Sequence, residues 1–108
     1  MRMRLMVTCL IAAGALVSGT AHPQDVSAGK VIAQTWCANC HKINAGENPT
    51  AGDTAPNFFS IAQMQSTTEM SLAAFLTTPH GKMPNLSLSR SEIRDVSAYI
   101  LSLRTNDN

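Results

Sequence analysis

The feature that most constrains this chain is the run Cys37-Ala38-Asn39-Cys40-His41. Two thiols held within one turn and followed at once by an imidazole serve three chemistries: a redox dithiol, half of a zinc site, or the covalent attachment of a haem. Each asks for a different surrounding. The dithiol wants a βαβ unit, zinc wants a second pair of ligands, and a haem wants a helical, apolar shell.

The residues before the motif narrow the field. Met1-Arg2-Met3-Arg4 is basic, residues 5–17 are apolar apart from Thr8, and Ser18-Gly19-Thr20-Ala21 are small. That layout predicts a secretory signal over residues 1–21, cleaved after Ala21. A membrane-spanning helix needs about 20 apolar residues, and residues 5–17 fall short of that. A lipid-anchor reading of Cys9 is weaker still, because Met6-Val7-Thr8 makes a poor recognition site and most of the apolar run follows the cysteine.

Cleavage changes the bookkeeping. Of eight basic residues Arg2 and Arg4 leave with the signal, so six remain against seven acids. Cys9 leaves as well, so Cys37 and Cys40 are the mature chain's two cysteines. What remains, residues 22–108, is one small domain in an oxidising compartment, expected to be the periplasm, with no stable membrane insertion. At this size a core alone is marginal, and a metal, staple or cofactor commonly makes up the deficit. The near-neutral charge gives no basic patch for nucleic acid.

Apolar spacing predicts helices throughout. Asp25 caps a helix over residues 25–36, with Val26, Gly29, Ala33 and Trp36 on one face. Residues 42–57 are rich in Gly, Asn, Asp, Thr and Pro and read as a long loop, which in a small domain is expected to wrap something or to be functional. A short helix follows over residues 58–64. Ser66-Thr67-Thr68-Glu69 fits a capping box, and Met70, Leu72, Ala73, Phe75 and Leu76 continue a helix that Pro79 stops. Ser89-Arg90-Ser91-Glu92 is a second box. It opens a helix over residues 90–104, in which Ile93, Val96, Tyr99, Ile100 and Leu103 recur at three and four. No segment reads as a strand, and the class is all-α.

The three chemistries can now be weighed. A closed structural zinc site needs four ligands; Cys37, Cys40, His41, His80 and His22 offer donors but no second paired motif. The dithiol has Trp36 before its first cysteine and Thr78-Pro79 about forty residues on, as in thioredoxin-like proteins, but it lacks the sheet. Haem attachment uses more of the sequence: both thiols add across vinyl groups, and His41 is placed to reach iron as the proximal ligand.

Over the whole mature chain the sequence resembles the monohaem class I cytochromes c, in the residues Cys37-Ala38-Asn39-Cys40-His41, Gly29, Pro56, Met83 and Tyr99. The resemblance implies a cytochrome c fold, with about four short helices around one haem c bound through Cys37 and Cys40. It implies that the first and last helices cross where Gly29 admits Tyr99. An aromatic is common in the family where this chain has Ala33, so the crossing is expected to pack differently, with help from Trp36. It also implies that the Pro56 carbonyl accepts a hydrogen bond from His41, and that Met83 is the second axial ligand, with His80 as the alternative. Met64 and Met70, in or beside helices, are expected to fill the core. Phe58, Phe59, Leu72, Phe75 and Leu86 are expected to wall the cofactor.

With both axial positions filled, the expected function is outer-sphere electron transfer without enzymatic activity. The expected partners are periplasmic redox proteins: a donor dehydrogenase or respiratory complex, and an acceptor oxidase or reductase. An alternative is a haem subunit held by a periplasmic dehydrogenase, because residues 79–93 loosely resemble small cytochromes of sulfur-compound oxidation. The mature chain has no dense lysine ring, its lysines being Lys30, Lys42 and Lys82. Lys42 and Lys82 flank the two proposed axial ligands and are the candidates for steering an acidic partner.

Overall fold

Each helix begins where a side-chain oxygen answers an orphan backbone N–H. In the computed structural model, which describes residues 14–15, 24–53, 55–78 and 81–105, helix α1 (Val26–Ile32) starts at Asp25, whose carboxylate accepts the Ala28 N–H at 3.0 Å. It continues into a π-helical turn, Ala33–Cys37. Helix α2 (Phe58–Gln63) starts at Asn57, whose side-chain oxygen accepts the Ser60 N–H at 2.6 Å. Helix α3 is Glu69–Thr77 and helix α4 is Arg90–Ser102. Among the described residues there is no strand, and the fold is all-α. Most of the predicted signal lies outside the described residues, as do His22, Pro79 and His80. No helix among the described residues is long and apolar enough to cross a membrane.

The capping box at Ser89 and Glu92 forms as expected: the Ser89 hydroxyl accepts the Glu92 N–H at 3.2 Å, and the Glu92 carboxylate accepts the Ser89 N–H at 2.7 Å. These bonds hold the Glu92 carboxyl below the usual range. The box at α3 is two residues later than expected. Thr68 is the cap, its hydroxyl accepting the Ser71 N–H at 3.1 Å while the Ser71 hydroxyl accepts the Thr68 N–H at 2.8 Å. Ser66, the expected cap, instead offers its carbonyl to the Ser71 hydroxyl at 3.0 Å.

Helix α4 is the hub, packing on α1, α2 and α3. Its crossing with α1 passes through Gly29, where an added Cβ would stand 1.9 Å from the Asp95 carbonyl oxygen and 2.9 Å from the Tyr99 Cβ. Only a residue without a side chain permits that approach. The Asp25 N–H donates to the Asp95 carboxylate at 3.0 Å and ties the start of α1 to α4.

Trp36 does not join this crossing; it is 57% exposed. The π turn is the reason. The Ala38 N–H donates to the Ala33 carbonyl, five residues back, at 2.9 Å, and this wider turn rotates the buried stripe one residue on. Gly29, Ala33 and Cys37 are buried and Trp36 is turned outward. Met64 and Met70 are 51% and 81% exposed, so neither fills the core. The core consists of Ala33, Cys37, Ile43, Phe58, Ala62, Leu72, Val96, Tyr99, Ile100 and Leu103.

Candidate haem-attachment site

The two cysteines and the histidine are presented by one tight turn. The Cys37 carbonyl accepts from the Cys40 N–H at 3.1 Å and from the His41 N–H at 2.9 Å, folding residues 38–41 back over the end of the π turn. Cys37 is buried and Cys40 exposed, and no disulfide joins them. Burial pushes the Cys37 thiol up.

His41 is held from two directions. Its Nδ1 donates to the Pro56 carbonyl at 2.5 Å, and its ring lies 5.2 Å from the Phe58 ring, tilted by 49°. The Phe58 N–H donates to the Lys42 carbonyl at 2.8 Å, so residues 41–42 and 56–58 are clasped together. With Nδ1 committed to Pro56, Nε2 is the ring nitrogen that could hold a metal.

The loop between these segments is stitched internally. Lys42 Nζ donates to the Thr50 hydroxyl at 2.8 Å and pairs with the Asp53 carboxylate at 3.5 Å. That carboxylate also accepts the Thr50 N–H at 2.7 Å and hydroxyl at 2.8 Å. The Thr50 N–H first, then its hydroxyl and the Lys42 charge, hold the Asp53 carboxyl below the usual range. Lys42 is thus engaged with Thr50 and Asp53 inside the loop. Further along, the Glu47 carboxylate accepts the Asn44 N–H at 3.0 Å. The buried Tyr99 hydroxyl donates to the Ile43 carbonyl at 2.6 Å and fixes the loop entrance to α4. Burial, then the Glu47 carboxylate, pushes the phenol up, so it remains a donor.

Met83 lies half-buried in a cleft of about 280 Å³ with Leu76, Leu86 and Leu88 among its walls. Phe59, Ile61, Leu76 and Leu88 pack partly buried against the core, and Phe75 is half exposed. These residues fit a covalently bound haem. Two thiols are outside any disulfide, an imidazole is oriented with one nitrogen committed, and Leu76, Leu86 and Leu88 are among the walls of the cleft that holds Met83.

Phe58, expected to wall the pocket, lies with its ring against His41. Asn57 and Arg104 were not anticipated from the sequence. Asn57 is 2% exposed and caps α2 between the two residues that hold His41; an Asn directly before an aromatic run is a readable cap signal. Arg104 braces the far side. Its Nε donates to the Ala62 carbonyl at 2.7 Å, and its Nη2 to the Thr67 and Met64 carbonyls at 2.6 and 3.1 Å. Those acceptors lie at and just beyond the end of α2, where a helix leaves carbonyls without intrahelical partners.

An all-α shell around an oriented histidine and a pair of cysteines spaced for thioether bonds defines a class of small haem proteins. The chain belongs to the cytochrome c family, whose model matches residues 26–104. It is 40% identical to cytochrome c-552 of Bradyrhizobium diazoefficiens over 104 residues, covering 96% of this chain and 99% of that relative. It is 33% identical to cytochrome c-555 of Chlorobaculum tepidum over 103 residues, covering 91% of this chain and 94% of that one. No solved structure matches the chain. As a monohaem class I cytochrome c it is a small electron-transfer haem protein, with haem c bound covalently through Cys37 and Cys40. The dithiol and zinc readings fall with this assignment.

Proposed function

We propose that this protein is a periplasmic one-electron carrier whose single haem is ligated axially by His41 and Met83. The observation that carries the reading is the His41 Nδ1 bond to the Pro56 carbonyl. A proximal histidine that donates its second nitrogen to a carbonyl is fixed in orientation and is a stronger donor to the metal. When bound, the haem supplies one-electron chemistry by cycling its iron between ferric and ferrous.

The chain's residues do the rest. Cys37 and Cys40 anchor the macrocycle, one from the core and one from the surface. Phe58 holds the imidazole against rotation and keeps water from that side. The loop carrying Met83 supplies a thioether, which with histidine sets a higher potential than other common ligand pairs. With both axial positions taken by protein, no site is left for a substrate, and the protein is a carrier and not an enzyme. Residues 1–21 direct export and are removed. In the periplasm the carrier takes electrons from a dehydrogenase or respiratory complex and gives them to an oxidase or reductase.

The test is Met83→Ala in the holoprotein. The ferric wild type is expected to show the long-wavelength sulfur-to-iron charge-transfer band. The variant should lose it, with a fall in potential that is a sizeable part of the roughly 0.8 V over which axial ligands range. An unchanged band and potential would remove Met83 from the site.

A further inference from the structure

Asn57 stands between the two residues that bear on His41. Pro56 supplies the carbonyl that accepts from Nδ1, and Phe58 supplies the ring that lies 5.2 Å from the imidazole. Asn57 is itself almost wholly buried. Its side-chain oxygen accepts the Ser60 N–H at 2.6 Å and its backbone carbonyl accepts the Ile61 N–H at 3.1 Å, so one residue answers two of the N–H groups that open α2. Its amide nitrogen is buried and donates to no acceptor among the described residues. A buried donor left unpaired is destabilising, and an apolar side chain of similar size would avoid that loss. The side-chain oxygen is therefore what the position requires, and its bond is to the start of α2.

We propose that Asn57 is the positioning residue for the proximal histidine: by capping α2 it holds the Pro56 carbonyl and the Phe58 ring on His41 together. The inference rests on the electron-carrier reading, in which His41 binds iron, and names the residue through which the chain sets the strength of that ligand. Two planar peptide units meet at Asn57. One carries the Pro56 carbonyl, and the other carries the Phe58 N–H, which donates to the Lys42 carbonyl at 2.8 Å. Only φ and ψ of Asn57, −75° and 151°, relate the two units. Both units engage residues 41–42, so a rotation at Asn57 cannot keep both bonds. The Ser60 bond fixes these dihedrals in the extended form that an N-cap requires. A carbonyl held on the Nδ1 proton makes the imidazole a stronger donor to a metal, and loosening it weakens the ligand.

The experiment is NMR of the reduced, nitrogen-15-labelled holoprotein, with its potential measured alongside, for wild type, Asn57→Ala and Asn57→Ser. Ala and Ser leave nearly the same space, and of the two only Ser caps as Asn does. In Asn57→Ala the His41 Nδ1 proton is expected to exchange with solvent about fivefold faster, the factor that loss of one cap allows. The potential should rise, because a weaker imidazole donor favours the ferric iron less. Asn57→Ser should keep both near wild-type values. In the wild type the Ser60 N–H and the His41 Nδ1 proton should lose protection together as denaturant is added, a check that needs no variant. A lower Tm in Asn57→Ala with exchange and potential unchanged would make Asn57 a helix cap only and overturn the proposal. Independent opening of the two protons, or an Asn57→Ser protein as perturbed as Asn57→Ala, would overturn it too. A wild-type His41 ring without the ring-current shift of a haem ligand would overturn the electron-carrier reading itself and this proposal with it.

Discussion

Replacing Gly29 by Ala sets two effects of opposite sign against each other. Within a helix, Ala is favoured over Gly by about 1 kcal/mol. Against that, the new Cβ would meet the Asp95 carbonyl oxygen at 1.9 Å, its carbon at 2.5 Å and the Tyr99 Cβ at 2.9 Å. Two of these are backbone atoms inside α4, so no side-chain rotation relieves the clash. The helices must separate by roughly 1–1.5 Å to approach ordinary carbon contact. A gap of that size forfeits a large part of the dispersion energy where α1 meets α4, and it stretches the Asp25–Asp95 bond. Overpacking of this kind costs about 1–3 kcal/mol, and a rigid backbone clash belongs at the upper end. The net expectation is a loss of about 2 kcal/mol, or roughly 8–16 °C in Tm for a domain of this size. Thermal unfolding of the holoprotein, followed by far-ultraviolet circular dichroism, reads this directly. A Gly29→Ala protein as stable as wild type, or more stable, would show that the helix-propensity gain wins and that the crossing is not limited by this contact.

Two further perturbations probe the scaffold. Arg104→Ala removes the donors to three carbonyls around the end of α2 and should cost about 2–3 kcal/mol in denaturant unfolding, with amide exchange accelerating first over residues 62–67. The Asp53 carboxyl is depressed by Thr50 and Lys42. Its contribution is therefore complete above the ordinary aspartate value of about 4 and is lost as pH falls through its lowered folded value. Asp53→Asn should make loop 42–57 less protected at neutral pH and flatten the acid dependence of its amide exchange, while wild type loses that protection only on acidification.

What was legible in the sequence is what local chemistry dictates. Ser89 and Glu92 announce the start of α4 because both partners of the box sit within four residues. The crossing of Gly29 with Tyr99 was expected only through family resemblance, and the close approach at Gly29 agrees with it. At α3 the acidic residue drew attention to Glu69, but Ser71 closes the box, since a hydroxyl three residues past Thr68 answers the same N–H. The π turn left no trace in the apolar pattern, because Trp36 and Cys37 are both apolar and a shift of one residue suits either. That is why Trp36 was placed inside and is found outside. Lys42 meets Thr50 and Asp53, eight and eleven residues away across a loop without periodicity, and spacing rules do not reach that far. The Pro56 contact with His41 spans fifteen residues and was expected only through family resemblance.

The central claim, that His41 and Met83 complete the iron coordination of an electron carrier, is tested most directly by proton NMR of the reduced holoprotein carrying methionine labelled with carbon-13 at its methyl group. A methionine methyl held on the haem axis is displaced far upfield by the ring current, and Met64, Met70 and Met83 can be told apart by single replacement with leucine. The account predicts one strongly upfield methyl that disappears in Met83→Leu and persists in Met64→Leu and Met70→Leu. No upfield methionine methyl in the wild type, or one that survives Met83→Leu, would contradict it.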